Sequence, residues 1–178
     1  SELAGGAEYT LSPQAYGRCL VELFELWEAD FYRGRQPYIR QFENWIGMLM
    51  GYYPEACEQR GICSFQGVIE ADGSIYPCDF YVLDEYRLGN LKEDGFEKIV
   101  ERWTESGFRK NSEAQPEECK RCRYHTLCRG GCRRHRERPG GILGKNKFCE
   151  SYRMFFEACL PRMKKVAEVC IKNERRKK

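Results

Sequence analysis

The sequence predicts an α+β fold: a small cysteine-rich domain with one β-hairpin, a loop-rich cluster-binding knuckle and flanking helices. Three observations carry that expectation. Apolar residues recur at helical spacing towards both ends of the 178-residue chain. One Asp-Gly turn stands between two β-prone runs, Val68-Ile69-Glu70-Ala71 and Ser74-Ile75-Tyr76. Eight of the eleven cysteines stand in an ordered string with glycine and arginine between them, the pattern of a backbone bending around metal.

Ser12-Pro13 opens the first helix, with serine as N-cap and proline at the first helical position. Leu20, Leu23, Phe24, Trp27 and Phe31 mark its apolar face up to Gly34. A second helix, from Pro37 to near Gly51, carries Ile39, Phe42, Trp45, Ile46 and Leu49. Both stripes read as core. Cys57 and Cys63 bracket a short turn around Gly61. The hairpin follows and delivers Cys78, directly after Pro77, back towards that pair. Leu88-Gly89-Asn90-Leu91 reads as a turn, and Asp94 as the cap of a helix carrying Phe96, Ile99, Val100 and Trp103. A polar loop from Gly107 to Pro116 leads into the knuckle. Little regular structure is expected there, and Gly130-Gly131 lets the chain turn tightly between thiols. Pro139-Gly140-Gly141 is another loop. The last helix follows Cys149, with Tyr152, Phe155, Phe156, Cys159, Met163, Val166 and Cys170 close to one stripe. Pro161 is expected to kink or restart it. Lys172 to Lys178 reads as a frayed basic tail.

With 42% hydrophobic and 32% charged residues the chain is expected to fold and stay in solution. No apolar run is long enough for a bilayer, so no membrane partner is expected. The opening Ser1-Glu2-Leu3-Ala4-Gly5-Gly6 has no secretory apolar stretch and no initiator methionine, and a piece of a longer protein is expected. An odd cysteine count in tight spacings, without a secretion signal, favours metal over disulfides and points to a reducing cytoplasm. The net charge of +3 does not by itself argue for nucleic acid, which is not expected as a partner. Eight basic residues nevertheless lie among the knuckle cysteines: Lys120, Arg121, Arg123, Arg129, Arg133, Arg134, Arg136 and Arg138. A solvated face, compensation of clustered thiolates and contact with RNA are three readings of them.

The cysteine string is Cys57-x5-Cys63-x14-Cys78, then Cys119-x2-Cys122-x5-Cys128-x3-Cys132, then Cys149. Eight thiols suit two four-thiolate sites, and zinc and iron–sulfur clusters both accept four cysteines. Local spacing alone would group Cys119, Cys122, Cys128 and Cys132. Cys19, Cys159 and Cys170 lie on helical stretches and read as core. His125 and His135 sit in the knuckle, where eight cysteines already fill two sites.

Gly67, Asp72-Gly73-Ser74-Ile75-Tyr76-Pro77-Cys78-Asp79-Phe80-Tyr81, Leu88-Gly89-Asn90, Cys119-x2-Cys122-x5-Cys128-Arg129-Gly130-Gly131-Cys132-Arg133 and Cys149 together resemble the SPASM domain. This is the C-terminal, two-cluster extension of certain radical S-adenosylmethionine enzymes. Pro77-Cys78-Asp79-Phe80-Tyr81 and the stretch from Phe148 to Phe156 resemble the anaerobic sulfatase-maturating enzymes in particular. The resemblance runs from about Cys57 to Met163. It implies that residues 51–178 are the auxiliary-cluster domain and residues 1–50 the helical end of a preceding radical SAM domain, or a linker. It also implies two [4Fe-4S] clusters with crossed ligation, one on Cys57, Cys63, Cys78 and Cys132, the other on Cys119, Cys122, Cys128 and Cys149. Such crossing ties the hairpin to the knuckle and the knuckle to the last helix, useful staples in a loop-rich domain.

In enzymes of this family a cysteine or serine of an unfolded sulfatase polypeptide is oxidised to formylglycine. A 5′-deoxyadenosyl radical takes a hydrogen atom from the β-carbon, the side chain loses a proton, and an electron leaves. The resemblance implies that Asp79 is the base and that the two clusters serve electron transfer and substrate positioning. The partners it implies are the radical SAM domain, the sulfatase polypeptide and an electron carrier such as ferredoxin or flavodoxin. The chain lacks the C-x3-C-x2-C triad that binds the third cluster and S-adenosylmethionine; Cys128-x3-Cys132-x2-His135 comes nearest. On its own it is therefore expected to be inactive. The alternatives are a SPASM domain with another peptide product and a zinc-stabilised basic binding module. Tyr76, Phe80, Tyr81 and Tyr86 read as hairpin packing, with one of them a candidate wall of a peptide channel.

Overall fold

The computed structural model describes residues 10–176. The reading of the opening Ser1–Gly6 stretch and of the last two lysines lies outside them. The architecture is mostly helical with one small antiparallel sheet, the α+β class expected from the sequence.

Helix α1 (Pro13–Tyr32) begins as the sequence dictates: Ser12 Oγ accepts a hydrogen bond from Ala15 N at 3.1 Å, and Pro13 follows. Helix α2 (Arg40–Leu49) buries Phe42, Trp45 and Ile46. These helices pack on the last and longest element, α8 (Cys149–Arg176), which runs unbroken through Pro161 and through most of the basic tail. The expected restart at Pro161 and frayed end at Lys172 are therefore corrected. Pro161 lacks only one N–H, and the buried stripe on both sides of it holds the helix in register.

The core between these helices is aromatic. Phe42 stacks on Phe155 (5.7 Å between centroids, 11° between planes), Trp45 stacks on Phe155 at 4.9 Å, and Phe42 and Trp45 are themselves 6.4 Å apart. Gly17 sets the approach of α1 to α8, because a Cβ there would stand 3.1 Å from Ser151 Cα and 2.8 Å from Met154 Sδ. Ser151 Oγ donates to Pro13 O across the same contact, at 2.6 Å. Two expected core positions turn outward: Leu23 and Cys19 are exposed. Cys159 is fully buried, as read, and Cys170 half-buried.

Between α2 and α8 the chain is built from short pieces. α3 (Cys57–Arg60) is a single turn closed by Gly61 in the left-handed region. β1 (Val68–Ile69) and β2 (Ser74–Tyr76) form the expected hairpin, with Val68 opposite Tyr76 and Ile69 opposite Ile75. Asp72 fixes its turn, Oδ1 accepting from Ser74 N at 2.9 Å and Oδ2 from Ser74 Oγ at 2.8 Å. β3 (Gly89–Asn90) pairs with the far edge of β2 where the sequence read only a turn. Two residues are too few to show alternation, so the strand is set by its partner.

α4 (Phe96–Glu105) follows, capped by Gly95 without a side-chain bond. Asp94 is not its cap. Its carboxylate accepts from Asn90 N at 3.2 Å and pairs with Arg102 at 2.8 Å and Lys98 at 3.1 Å. Ile75, Leu88 and Ile99 form a second small core there. α5 (Phe108–Asn111), α6 (Glu117–Lys120) and α7 (His125–Cys128) are single turns, so the polar loop and the knuckle hold more regular structure than expected. Among the described residues no helix is long and apolar enough to cross a membrane.

Candidate metal centres

Seven of the eight cysteines of the string sit in or beside short elements, and Cys149 opens the long helix α8. Cys57 opens α3, and Cys63 follows the Gly61 cap, its N–H donating to Ser112 Oγ at 2.9 Å. Gly61 has no room for a side chain: a Cβ would collide with Arg129 O of the knuckle. Cys78 ends the hairpin beyond β2, and Cys132 follows two glycines with positive φ, Gly130 at 82° and Gly131 at 70°. These four line one cavity of about 470 Å³, together with Asp79 and His135. Cys119 in α6, Cys122 just beyond it, Cys128 at the end of α7 and Cys149 at the start of α8 line a second cavity of about 360 Å³.

The partition differs from the grouping by spacing, which joins Cys132 to Cys119, Cys122 and Cys128. It coincides with the crossed sets implied by the family resemblance. The turn at Gly130-Gly131 separates Cys128 from Cys132 and sends them to different cavities. None of the eleven cysteines forms a disulfide.

Burial raises the pKa of Cys63, Cys78 and Cys132 at the first cavity and of Cys119, Cys128 and Cys149 at the second. Burial, then the Asp79 carboxylate, pushes Cys78 up to about 12. Burial pushes Cys128 up to about 12, with Cys149, Cys119 and Cys122 adding like charge. Cys132 is pushed up to about 11 by burial, Glu58, Cys63 and Cys57. Groups that repel one another's thiolates are near neighbours, and a positively charged centre in each cavity is what would release their protons. Among the described residues no three His, Cys, Asp or Glu side chains converge tightly enough for a single ion. Each cavity offers four thiols and open space beside them, a donor set that a four-iron cluster accepts. The donor set and the space thus fit [4Fe-4S] clusters.

Asp79 stands exposed at the first cavity, its Oδ1 accepting from Phe80 N at 3.1 Å and from Cys78 Sγ at 3.0 Å. Phe80 beside it is half-exposed, whereas Tyr81 is buried against Tyr86 and Phe108. His135 lines the same cavity, and burial, Lys147 and Arg134 hold it down at about 4. His125 lines the second and exchanges a hydrogen bond with Gln115 Oε1 at 2.8 Å.

The basic run divides. Lys120, Arg121, Arg123 and Arg138 are exposed, but Arg133 and Arg136 are buried. Arg133 pairs with Glu137 at 2.9 Å and lies over the rings of Phe108 and Tyr81. Sequence reasoning also passed over Ser112 and Glu58, and read Tyr152 only as part of the last helix's stripe. Tyr152 donates to Glu58 between the two cavities. No local pattern marks these residues; only the fold brings them there.

Residues 57–123 match the SPASM family model, described as an iron–sulfur cluster-binding domain. The match includes five of the eight cysteines: Cys57, Cys63, Cys78, Cys119 and Cys122. A cysteine-type anaerobic sulfatase-maturating enzyme of Clostridium perfringens is 41% identical over 167 residues, 93% of this chain and 45% of the relative. A serine-type enzyme of Bacteroides thetaiotaomicron is 28% identical over 160 residues, 88% of this chain and 38% of the relative. Among solved structures, native anSMEcpe with bound AdoMet and a Cp18Cys peptide superposes with a TM-score of 0.87 at 40% identity, covering 93% of this chain and 46% of that one. The chain therefore spans less than half the length of the relatives it matches. Residues 57–123 are thus similar to the SPASM iron–sulfur cluster-binding domain, and over nearly all its length the chain is similar to anaerobic sulfatase-maturating enzymes.

Proposed function

We propose that this chain is the auxiliary-cluster part of an anaerobic sulfatase-maturating enzyme. In this reading Cys57, Cys63, Cys78 and Cys132 hold one [4Fe-4S] cluster and Cys119, Cys122, Cys128 and Cys149 the other. The observation that carries it is the partition of eight thiols into two four-cysteine cavities in crossed chain order. Residues 51–178 are then the cluster domain, and residues 1–50 the helical end of the radical SAM domain before it, anchored by packing of α1 and α2 on α8.

When bound, the clusters would supply one-electron capacity beside the substrate. The protein's own contribution is positional. Asp79 and Phe80 stand where the first cavity opens, and the Asp79 carboxylate is free to take a proton from a cysteine or serine side chain brought to it. Arg40 lines the same cavity, with its Nε paired to Glu55 Oε1 at 2.8 Å. The substrate class is an unfolded sulfatase polypeptide, and the greater identity to cysteine-type relatives supports cysteine as the residue modified. The radical SAM domain, with S-adenosylmethionine and a third cluster, and a ferredoxin- or flavodoxin-like carrier complete the reaction. A reducing cytoplasm suits this set of free thiols.

The partition is tested by single substitutions in anaerobically reconstituted protein. Cys132→Ala and Cys78→Ala are expected to lose the same half of the iron and the same electron-paramagnetic signal, while Cys128→Ala loses the other. Loss of a common signal in Cys132→Ala and Cys128→Ala would contradict the crossed assignment.

A further inference from the structure

Arg136 is 1% exposed, and a guanidinium keeps its charge under all ordinary conditions. Its fork is spent on backbone carbonyls. Nη1 donates to Ala114 O at 2.8 Å, and Nη2 to Ser112 O at 2.6 Å and Gly61 O at 3.4 Å. Nε is buried with no partner, and among the described residues no carboxylate pairs with this side chain. Arg133, three residues earlier and also buried, is different: Glu137 neutralises it. A buried, unpaired charge is costly, and carbonyl dipoles offset only part of that cost. Arg136 therefore needs an anion.

Its position says which. Gly61 lies between Cys57 and Cys63, and Ser112 is the residue whose hydroxyl holds Cys63 N, so one end of the fork rests behind the Cys57–Cys63 side of the first cavity. The stem rests against the wall of the second, with Cδ 3.6 Å from where a Cβ on Gly130 would stand. Burial opposes the charge, while Cys63 and Cys132 of one set and Cys119 of the other favour it, with Tyr81 acting in the same sense. No other buried guanidinium among the described residues lies between the two sets without a carboxylate of its own.

We propose that Arg136 is the shared counter-charge of the two cysteine sites, a fixed positive charge that raises the reduction potential of both bound clusters together. This rests on the two-cluster reading above. Reduction adds negative charge to a cluster, and a buried cation nearby stabilises the reduced form more than the oxidised one. One charge between two clusters links their potentials, so that neither is tuned alone.

The test uses the reconstituted chain. Iron and acid-labile sulfide are counted first in the unmodified protein; absence of clusters there would sink the two-cluster reading, whatever Arg136 does. Potentiometric titration then compares the unmodified protein with Arg136→Gln and Arg136→Lys. With both clusters loaded, Arg136→Gln is expected to move both midpoint potentials to more negative values, and Arg136→Lys to leave them close to the original. Unchanged potentials, or movement of only one, would overturn the proposal. Should Arg136→Gln fail to fold or load, restoration of both clusters by Arg136→Lys supports the charge. Equal failure of Arg136→Lys would assign the residue to its carbonyl bonds alone and overturn the proposal.

Discussion

Asp79 directly follows Cys78 and accepts a hydrogen bond from its thiol, a bond that ends when the thiol gives up its proton to hold a cluster, leaving that oxygen of the carboxylate open. Asparagine keeps the size and the acceptor oxygen but cannot take a proton. In the full-length enzyme Asp79→Asn is expected to leave iron and sulfide content unchanged and to reduce formylglycine formation by about 10²–10⁴-fold, the usual worth of a general base. Mass spectrometry of a sulfatase peptide reads the product, and unchanged turnover would remove the assignment. Asp79 could be named as a candidate from sequence because Pro77-Cys78-Asp79-Phe80-Tyr81 is a contiguous string. Arg136 could not, because in sequence it is one of eight similar basic residues. What singles it out is burial without a carboxylate partner, which depends on loops some 20 and 75 residues away.

At the scale of elements, helix contacts and sheet anchors make separate claims. Gly17 brings α1 against the backbone of α8 at Ser151, which cannot step aside as a flexible side chain can. Gly17→Leu is expected to cost about 1–3 kcal/mol by overpacking, read as a lower melting temperature with unchanged metal content. A variant as stable as the parent would show that the two helices can move apart freely. Asp94 joins β3 to α4 through Asn90 N, Arg102 and Lys98, and Arg102 first among these holds its carboxyl well below the usual range. A depressed native value gives stability that is full above the unfolded pKa and lost as pH falls towards the folded one. The stability gap between the parent and Asp94→Asn is therefore expected to be constant above about pH 5 and to shrink on acidification below about 4. A gap independent of pH in denaturant titrations would refute the role. The helices that carry these contacts were legible from their apolar period. β3 and the place of Asp94 were not, since a two-residue strand has no period and an aspartate before a helix looks like a cap whether or not it is one.

Over the whole molecule, the aromatic packing of α1, α2 and α8 makes a firm base, and the remainder is single turns and a small sheet. Such a region buries little apolar surface of its own. In the proposed reading its order comes from two crossed four-cysteine sites, which tie residues far apart in the chain: Cys57 to Cys132, and Cys119 to Cys149. Spacing alone groups Cys132 with Cys119, Cys122 and Cys128, because sequence distance does not register the reversal at Gly130-Gly131 that places Cys132 at the first cavity. The most direct measurement is iron, zinc and acid-labile sulfide per chain after anaerobic purification and reconstitution. About eight iron and eight sulfide with little zinc is the result this account predicts, the content of two [4Fe-4S] clusters. About two zinc and no sulfide, persisting after reconstitution, would contradict it and make the cysteines zinc staples of a basic binding module.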